Sequence, residues 1–127
     1  MTRVLDVGNC GPDHAAIKRL LVSSFGATVV QVHGTDDAMA CLESNSYQLV
    51  LVNRKLDRDY SDGIEVIRRI KSDPRFAAIP CMLVTNYAEH QDMAVAVGAE
   101  RGFGKLELHS DETLHLLRPY FQASSAS

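Results

Sequence analysis

Polar side chains that could take part in chemistry recur just after apolar runs in the sequence. They are Asn9, Cys10, Asn53, Thr85 and Lys105. Amides, a hydroxyl and an amine can bind an anion or satisfy backbone groups at strand ends. However, no nucleophile stands beside a base, and no glycine-rich phosphate loop or GxGxxG pattern is present. We therefore expect no catalytic residues, and a small enzyme or cofactor binder is the least favoured function.

The cysteines and histidines show no spacing typical of a metal site. The three cysteines are far apart and form no CxxC pair, and the five histidines are equally scattered. Reduced cysteines of an intracellular domain are the favoured interpretation. The sequence therefore predicts neither a metal centre nor a cofactor.

Composition and charge are those of one globular domain. The chain has 127 residues, of which 46% are hydrophobic and 23% charged. A net charge of -3 gives no positive field that would favour nucleic acid or anionic lipid. Residues 48–52 and 81–84 are apolar but too short to cross a membrane, and no apolar signal region opens the chain. We expect a cytoplasmic protein that binds neither nucleic acid nor membrane directly.

Strand and helix patterns alternate along the chain. Gly26 is predicted to end the first helix, Thr35 and Ser110 to cap the second and the last helix, and Pro119 to bend or end the last one. Apolar and β-branched runs predict strands at residues 4–7, 28–32, 48–52 and 79–84, with a short fifth strand at Phe103. Five strands that alternate with five helices predict an α/β domain, a parallel sheet with helices on both faces. Its functional crevice should lie at the carboxyl ends of the strands.

One acid interrupts the first predicted strand. Asp6 lies among apolar residues, and a buried carboxylate needs a partner or a raised pKa. A position at a strand edge, or pairing with Arg3 or Lys18, is favoured over an acid relocated towards the crevice.

Four segments, taken in order, resemble the receiver domains of two-component response regulators, of the chemotaxis-regulator-like kind. They are residues 48–53 (QLVLVN), 62–71 (DGIEVIRRIK), 79–85 (IPCMLVT) and 97–100 (VGAE) followed by Gly104 and Lys105. The resemblance covers nearly the whole chain. It implies a doubly wound, flavodoxin-like sheet of five parallel strands in the order 2-1-3-4-5. The domain would span residues 3–121, and small polar residues predict a flexible tail over 122–127.

The resemblance implies roles for three of the polar residues. In ordinary members an aspartate takes up a phosphoryl group as a carboxylate nucleophile, and a hydroxyl and a lysine bind the phosphoryl oxygens. The aspartate position falls on Asn53, the switch hydroxyl on Thr85 and the lysine on Lys105. An amide is not a useful nucleophile for phosphoryl transfer. We interpret Lys105 as a structural donor to Asn53 or a backbone carbonyl in preference to an anion-binding group.

The acid pair that holds Mg²⁺ in the family is also absent. It falls on Asn9 and Cys10, or on Gly8 and Asn9 if the register shifts by one residue. Mg²⁺ sites normally use one or two carboxylates, so the resemblance implies that Mg²⁺ binding is lost or weak. The chain would then be a degenerate receiver, or pseudo-receiver.

Three further positions depart from the family pattern. The aromatic that moves with the switch hydroxyl falls on Gly102, and the proline after the lysine falls on Leu106, so a cis peptide bond is not expected there. Residues 53–63 form a charged segment about two residues longer than the resemblance implies.

Together these features predict a signalling module that binds proteins independently of phosphorylation. Partners would be a histidine kinase, an output domain or another regulator, and a homodimer is a further option. The resemblance implies a docking face on the fourth and fifth helices and the strand between them, with Tyr87, His90, Gln91 and Glu100 as exposed candidates. The alternative keeps receiver chemistry, with phosphorylation at Asp57 or Asp59.

Overall fold

Four strands form one parallel sheet in the computed structural model, which describes residues 2–122. The strands are β1 (Arg3–Val7), β2 (Thr28–Val32), β3 (Leu49–Asn53) and β4 (Cys81–Val84), in the order β2-β1-β3-β4. The helices are α1 (Gly11–Phe25), α2 (Thr35–Ser44), α3 (Gly63–Lys71), α4 (Ala88–Ala96), α5 (Asp111–Leu117) and α6 (Pro119–Gln122). The α/β class and the order of the first four strands are confirmed.

Helices cover both faces of the sheet because its strands are apolar on both sides. Leu5 and Val7 of β1 pack in a cluster with α2, α3 and α4. Val4, on the opposite face of the same strand, packs with Ile17 of α1 and Leu117 of α5. The doubly wound arrangement therefore follows from the pleat of buried strands, and it brings the carboxyl ends of all strands to one edge.

Local signals placed most helix ends correctly. Gly26 ends α1 at a left-handed φ of 64°, and the Ser110 hydroxyl accepts a backbone N–H of α5 at 3.2 Å. Pro119 starts α6 directly after the bend that follows α5. The prediction for Thr35 was wrong by one residue: Gly34 is the N-cap of α2 and Thr35 is its first residue, with no side-chain cap.

The fifth strand is the main difference from the predicted sheet. Residues 100–103 run beside β4 as expected, with one isolated parallel bridge between Met82 and Glu100, but within residues 2–122 they are not a regular strand. The reason is an inserted side chain. Gln91 of α4 donates its amide to the Leu83 carbonyl at 2.9 Å and accepts the Gly102 N–H at 2.8 Å. Direct backbone bonds remain on either side, from the Glu100 N–H to the Cys81 carbonyl at 2.8 Å and from the Thr85 N–H to the Phe103 carbonyl at 3.1 Å, and the Gln91 side chain bridges the gap between them.

Gln91 is therefore buried, with 5% of its surface exposed, and its predicted place on an exposed docking face was wrong. The helical pattern of α4 gave little warning, because Gln91 stands between polar residues, with Glu89 and His90 before it and Asp92 after it.

The ends of the predicted domain are only partly described. Gln122, predicted to begin the flexible tail, is the last residue of α6, and residues 123–127 of that tail lie outside the described part of the chain. In residues 2–122 no helix is long and apolar enough to cross a membrane.

Gly63 begins α3 in direct contact with the end of β3. A Cβ at this position would collide with the Asn53 carbonyl oxygen and would lie 2.9 Å from Val52 Cγ1. Since neither atom belongs to a flexible side-chain end, only glycine lets α3 start so close to the crevice.

Replacing Gly63 by alanine should therefore destabilise the fold by about 1–3 kcal/mol through overpacking. Gly11→Ala is the matched control, because nothing lies within 4 Å of its added Cβ, and it should change stability by less than about 1 kcal/mol. Urea unfolding of the two variants measures both values, and equal stabilities would contradict the close packing.

Replacing Gln91 by leucine should cost about 2–4 kcal/mol, because it leaves the Leu83 carbonyl and the Gly102 N–H without their partner. Glu89→Leu, at an exposed position of the same helix, should change stability by less than about 1 kcal/mol. Hydrogen exchange at the Gly102 amide should accelerate in the Gln91 variant alone. Unchanged exchange there would show that the amide bridge is not formed.

Candidate functional site

The carboxyl ends of β3 and β4 enclose a crevice of about 160 Å³. The eight residues that line this crevice are Asn53, Arg54, Val84, Thr85, Asn86, Tyr87, His90 and Lys105. The structure thus brings together three of the five polar residues predicted to follow apolar runs, Asn53, Thr85 and Lys105, with Tyr87 and His90 of the predicted docking face. A larger depression of about 840 Å³ lies along α5, but residues of that helix and its end form its wall, and no strand end reaches it.

The Asn53 amide is held by backbone carbonyls. Its Nδ2 donates to the Lys55 oxygen at 2.6 Å and to the Gly8 oxygen at 3.4 Å. A carboxylate in this orientation would face both carbonyl oxygens with no proton to donate. The local backbone therefore fits an amide at position 53 better than an ionised acid.

The longer charged segment after β3 folds back over the end of β1. Leu56 is 2% exposed, and its Cα would lie 3.0 Å from a Cβ built on Gly8, with its side chain closer still. Gly8 has a positive φ of 79°, and its carbonyl accepts the Asp57 N–H at 3.0 Å. Leu56 therefore fills the space next to Gly8 where a longer side chain would have to lie.

Polar contacts hold this segment in place. Lys55 and Asp62 form an antiparallel bridge, His33 Nδ1 lies 2.9 Å from Asp57 Oδ2, and Arg58 pairs with Asp37 at 2.7 Å. The segment from residue 54 to residue 62 is thus tied to the N-terminal side of α2 as well as to β1.

The two alternative phosphoacceptors lie outside the crevice. Asp57 faces His33, as described, and Asp59 turns its carboxylate back onto Ser61, accepting its hydroxyl at 2.6 Å and its N–H at 3.0 Å. The hydroxyl bond from Ser61 lowers the pKa of Asp59, which is fully exposed. Neither carboxylate is directed to Thr85 or Lys105, the groups that bind phosphoryl oxygens in the resembling family.

Thr85 and Lys105 make structural contacts. The Thr85 hydroxyl accepts the Tyr87 N–H at 3.3 Å and lies 3.4 Å from His90 Nδ1. Lys105 Nζ donates to Asp13 Oδ2 at 2.6 Å, and this bond is the main reason that the pKa of Asp13 is lowered. A structural partner for Lys105 was expected, but the predicted partners, Asn53 or a backbone carbonyl, were wrong.

Asp6 lies in a buried polar cluster on the α1 side of β1. The carboxylate is wholly buried, accepts Asn9 Nδ2 at 2.5 Å and lies 2.7 Å from His14 Nδ1. Burial raises the pKa of Asp6, while the contacts with Asn9 and His14 oppose the rise. The predicted pairing with Arg3 or Lys18 was wrong, and no short-range pattern in the sequence pointed to His14.

The two predicted acid-pair positions separate in space. Asn9 is buried against Asp6, whereas Cys10 is exposed at the start of α1, with its thiol 3.3 Å from Asp13 Oδ2. Because Val7 pairs with Val52, Gly8 is the residue that follows β1 next to Asn53. In residues 2–122 no three His, Cys, Asp or Glu side chains are grouped to hold a metal ion.

Exposed apolar residues lie around the crevice and on α4. Tyr87 is 62% exposed and Leu106, directly after Lys105, is 87% exposed. Met93 and Val95 on α4 are also exposed.

Of the residues predicted for a docking face, Tyr87 and Glu100 are exposed and His90 is half-buried. No peptide bond in the described residues is cis.

The stability contributed by Asp6 should fall as pH rises. Its folded pKa is raised, so its contribution is complete below its ordinary pKa of 3.8 and is lost as pH rises through the folded value. The stability difference between the natural protein and Asp6→Asn should therefore shrink between about pH 4 and about pH 7.

Asp13→Asn is the control with the opposite sign, because the pKa of Asp13 is lowered. The contribution of Asp13 is present above its ordinary pKa of 3.8 and is lost as pH falls below it, so the stability difference for Asp13→Asn should stay nearly constant from about pH 4 to about pH 7 and should shrink only at lower pH. Urea unfolding at several pH values measures both. If the stability differences of the two variants depended on pH in the same way, the opposite pKa shifts assigned to Asp6 and Asp13 would be contradicted.

Solved structures with the same fold are receiver domains of response regulators. The signal receiver domain of a DNA-binding response regulator from Colwellia psychrerythraea 34H superposes with a TM-score of 0.70 and 22% identity, over 91% of this chain and 99% of that one. NtrX from Brucella abortus gives a TM-score of 0.79 at 18% identity, over 98% of this chain and 28% of that one. The chemotaxis response regulator CheY4 of Vibrio cholerae gives 0.74 at 17% identity, over 94% and 98%.

Two curated proteins match at the level of sequence. A gliding motility regulatory protein of Myxococcus xanthus is 30% identical over 90 residues, which are 71% of this chain but only 11% of that protein. An uncharacterised 14.6 kDa protein of Leptolyngbya boryana is 25% identical over 107 residues, or 84% of this chain and 79% of that one. No protein-family model matches. The chain therefore has the fold of the receiver domains of response regulators, as the motifs in its sequence predicted.

Proposed function

We propose that the chain is a receiver-like signalling module of the two-component type that binds protein partners without being phosphorylated at Asn53. The observation that carries the proposal is the state of the crevice. Asn53 donates to two carbonyls, and Leu56 fills the space beside Gly8. The similarity to a gliding motility regulatory protein supports a regulatory role.

The proposal includes the loss of Mg²⁺ binding. The groups at the positions of the three family acids are the Asn53 and Asn9 amides and either the Cys10 thiol or Gly8, with no carboxylate among them. The Asn9 amide nitrogen bonds to Asp6 at 2.5 Å, and its buried oxygen, which has no hydrogen-bond partner, is an uncharged ligand. Since Mg²⁺ is normally held by at least one carboxylate, this donor set does not fit the ion. We derive no catalytic step from it and propose no enzymatic activity.

Protein partners would dock near α4 and the segment that follows it. Tyr87, Met93, Val95 and Leu106 are exposed there, and large apolar side chains at a surface are common anchors of protein interfaces. Partners of this kind include a histidine kinase, an output domain, another regulator or a second copy of the chain. The match covers only 28% of the NtrX chain, which supports an output domain in the same protein as one option.

Phosphorylation at Asp57 or Asp59 is the weaker alternative. Asp57 is paired with His33 and Asp59 with Ser61, and both lie outside the crevice that contains Thr85 and Lys105. An acceptor there would lack the groups that stabilise the transferred phosphoryl oxygens.

Incubation with Mg²⁺ and acetyl phosphate, followed by intact mass measurement, should show no phosphoryl group on the natural protein. Asn53→Asp should also gain none, because the new carboxylate would face the Gly8 and Lys55 carbonyls and would lack the neighbouring acids.

A receiver domain with all three acids serves as the positive control for this experiment. A phosphoryl group on the natural protein would overturn the proposal, and its position would decide between Asp57 and Asp59. A phosphoryl group on the Asn53→Asp variant alone would show that the crevice has kept its ability to bind Mg²⁺ and that only the acceptor was lost.

A further inference from the structure

The crevice is cationic. Arg54 and Lys105 contribute two permanent positive charges to its lining, and none of the eight residues that form it is acidic. The remaining polar groups there are neutral donors and acceptors, from Asn53, Thr85 and Asn86, together with the His90 ring. Such a lining favours an anionic group.

Arg54 is the cation with the least internal compensation in this lining. Lys105 has Asp13 at 2.6 Å, whereas the nearest ion pair of Arg54 is with Asp62 at 4.0 Å. The Asp62 oxygen involved already accepts the Ile64 N–H at 3.0 Å as the cap of α3. In addition, Arg54 Nε is buried and has no hydrogen-bond partner. A buried donor of this kind is normally satisfied by protein, water or a ligand.

A second feature lies at the rim of the crevice. Tyr87 packs edge-on against His90, with ring centroids 5.4 Å apart, and still leaves 62% of its surface exposed. Leu106 is held next to it, because its N–H donates to Asn86 Oδ1 at 3.1 Å, and is 87% exposed. Tyr87 of the crevice lining and Leu106, bonded through its backbone to the lining residue Asn86, therefore present exposed apolar surface beside a cationic crevice.

The size of the crevice limits what can enter it. Its volume of about 160 Å³ is below the roughly 300–1,000 Å³ of sites for whole cofactors and drug-sized ligands. A single carboxylate-bearing side chain is of suitable size. A free ion would use the charges but not the apolar rim, whereas a peptide segment would use both.

We propose that the crevice receives a glutamate or aspartate side chain from a protein partner, with an adjacent apolar residue of that partner packed on Tyr87 and Leu106. The carboxylate would accept from the terminal nitrogens of the Arg54 guanidinium, whose side chain is 28% exposed. This inference rests on the proposed protein-binding function and names the chemistry of the partner: an acidic segment with a neighbouring apolar side chain.

The test uses peptides as probes. Blocked tetrapeptides that contain one Glu beside Leu, Ile or Phe, and the same peptides with Gln in place of Glu, are titrated into the natural protein at constant ionic strength. Amide shifts in two-dimensional NMR spectra give the site and the affinity. Glu peptides should shift the signals of Arg54, Asn86, Tyr87 and Leu106, and the Gln peptides should bind at least about tenfold more weakly.

Three variants separate the two parts of the proposal. Arg54→Gln should abolish the preference for Glu, whereas Arg68→Gln, at an exposed position of α3, should retain it. Leu106→Ser should weaken the binding of Glu and Gln peptides by a similar factor, because it removes an apolar contact and no charge. Unchanged amide spectra away from the crevice show that each variant is folded.

Several outcomes would overturn the inference. Equal affinity for Glu and Gln peptides, absence of binding, or shifts confined to the outer face of α4 would each do so. If inorganic phosphate bound at Arg54 as strongly as the Glu peptides did, the site would belong to a free anion. These results are independent of the mass measurement, so a failure here leaves the phosphorylation-independent function standing, and the reverse also holds.

Discussion

The contact between Leu56 and Gly8 is the constraint on which the crevice depends. Leu56 can lie over the end of β1 because Gly8 has no side chain and has a left-handed φ that other residues rarely adopt. The same arrangement brings the Gly8 carbonyl within reach of the Asn53 amide and the Asp57 N–H. Glycine at 8, an amide at 53 and leucine at 56 therefore form one interdependent set. A single reversion to an acid would conflict with its neighbours.

Hydrogen bonds from the Gln91 side chain to backbone groups link α4 to the segment after β4. Gln91 satisfies the Leu83 carbonyl and the Gly102 N–H, and it also contacts the Thr85 carbonyl at 3.3 Å. Gly102 must be small, because a Cβ there would collide with the Leu83 oxygen. In the resembling family an aromatic at this position moves with the switch hydroxyl. Here the close backbone approach leaves no room for one, which favours a fixed surface over a switching one.

The sequence predicted what depends on local pattern and failed where contacts are long-range. Gly26 and Ser110 were placed correctly because a left-handed helix end and a hydroxyl cap have short-range signatures. The partner of Asp6 could not be inferred, since His14 lies on a different element and only the packing of α1 on β1 joins them. Leu56 did leave a signal: it is the one aliphatic residue in a charged segment, and such a residue is expected to be buried. Gln91 left none.

The electrostatics of the crevice follow from the same set of residues. Where the family has acids that hold a cation, this chain has neutral groups, so the positive charges of Lys105 and Arg54 are no longer balanced within the crevice. Lys105 recovers a partner by reaching Asp13 on α1. Arg54 cannot do the same, because the nearest carboxylate, Asp62, already caps α3. An exposed ion pair at 4.0 Å contributes little, whereas a carboxylate bonded to a partly desolvated guanidinium contributes more. The balance therefore favours an external acid over the internal one.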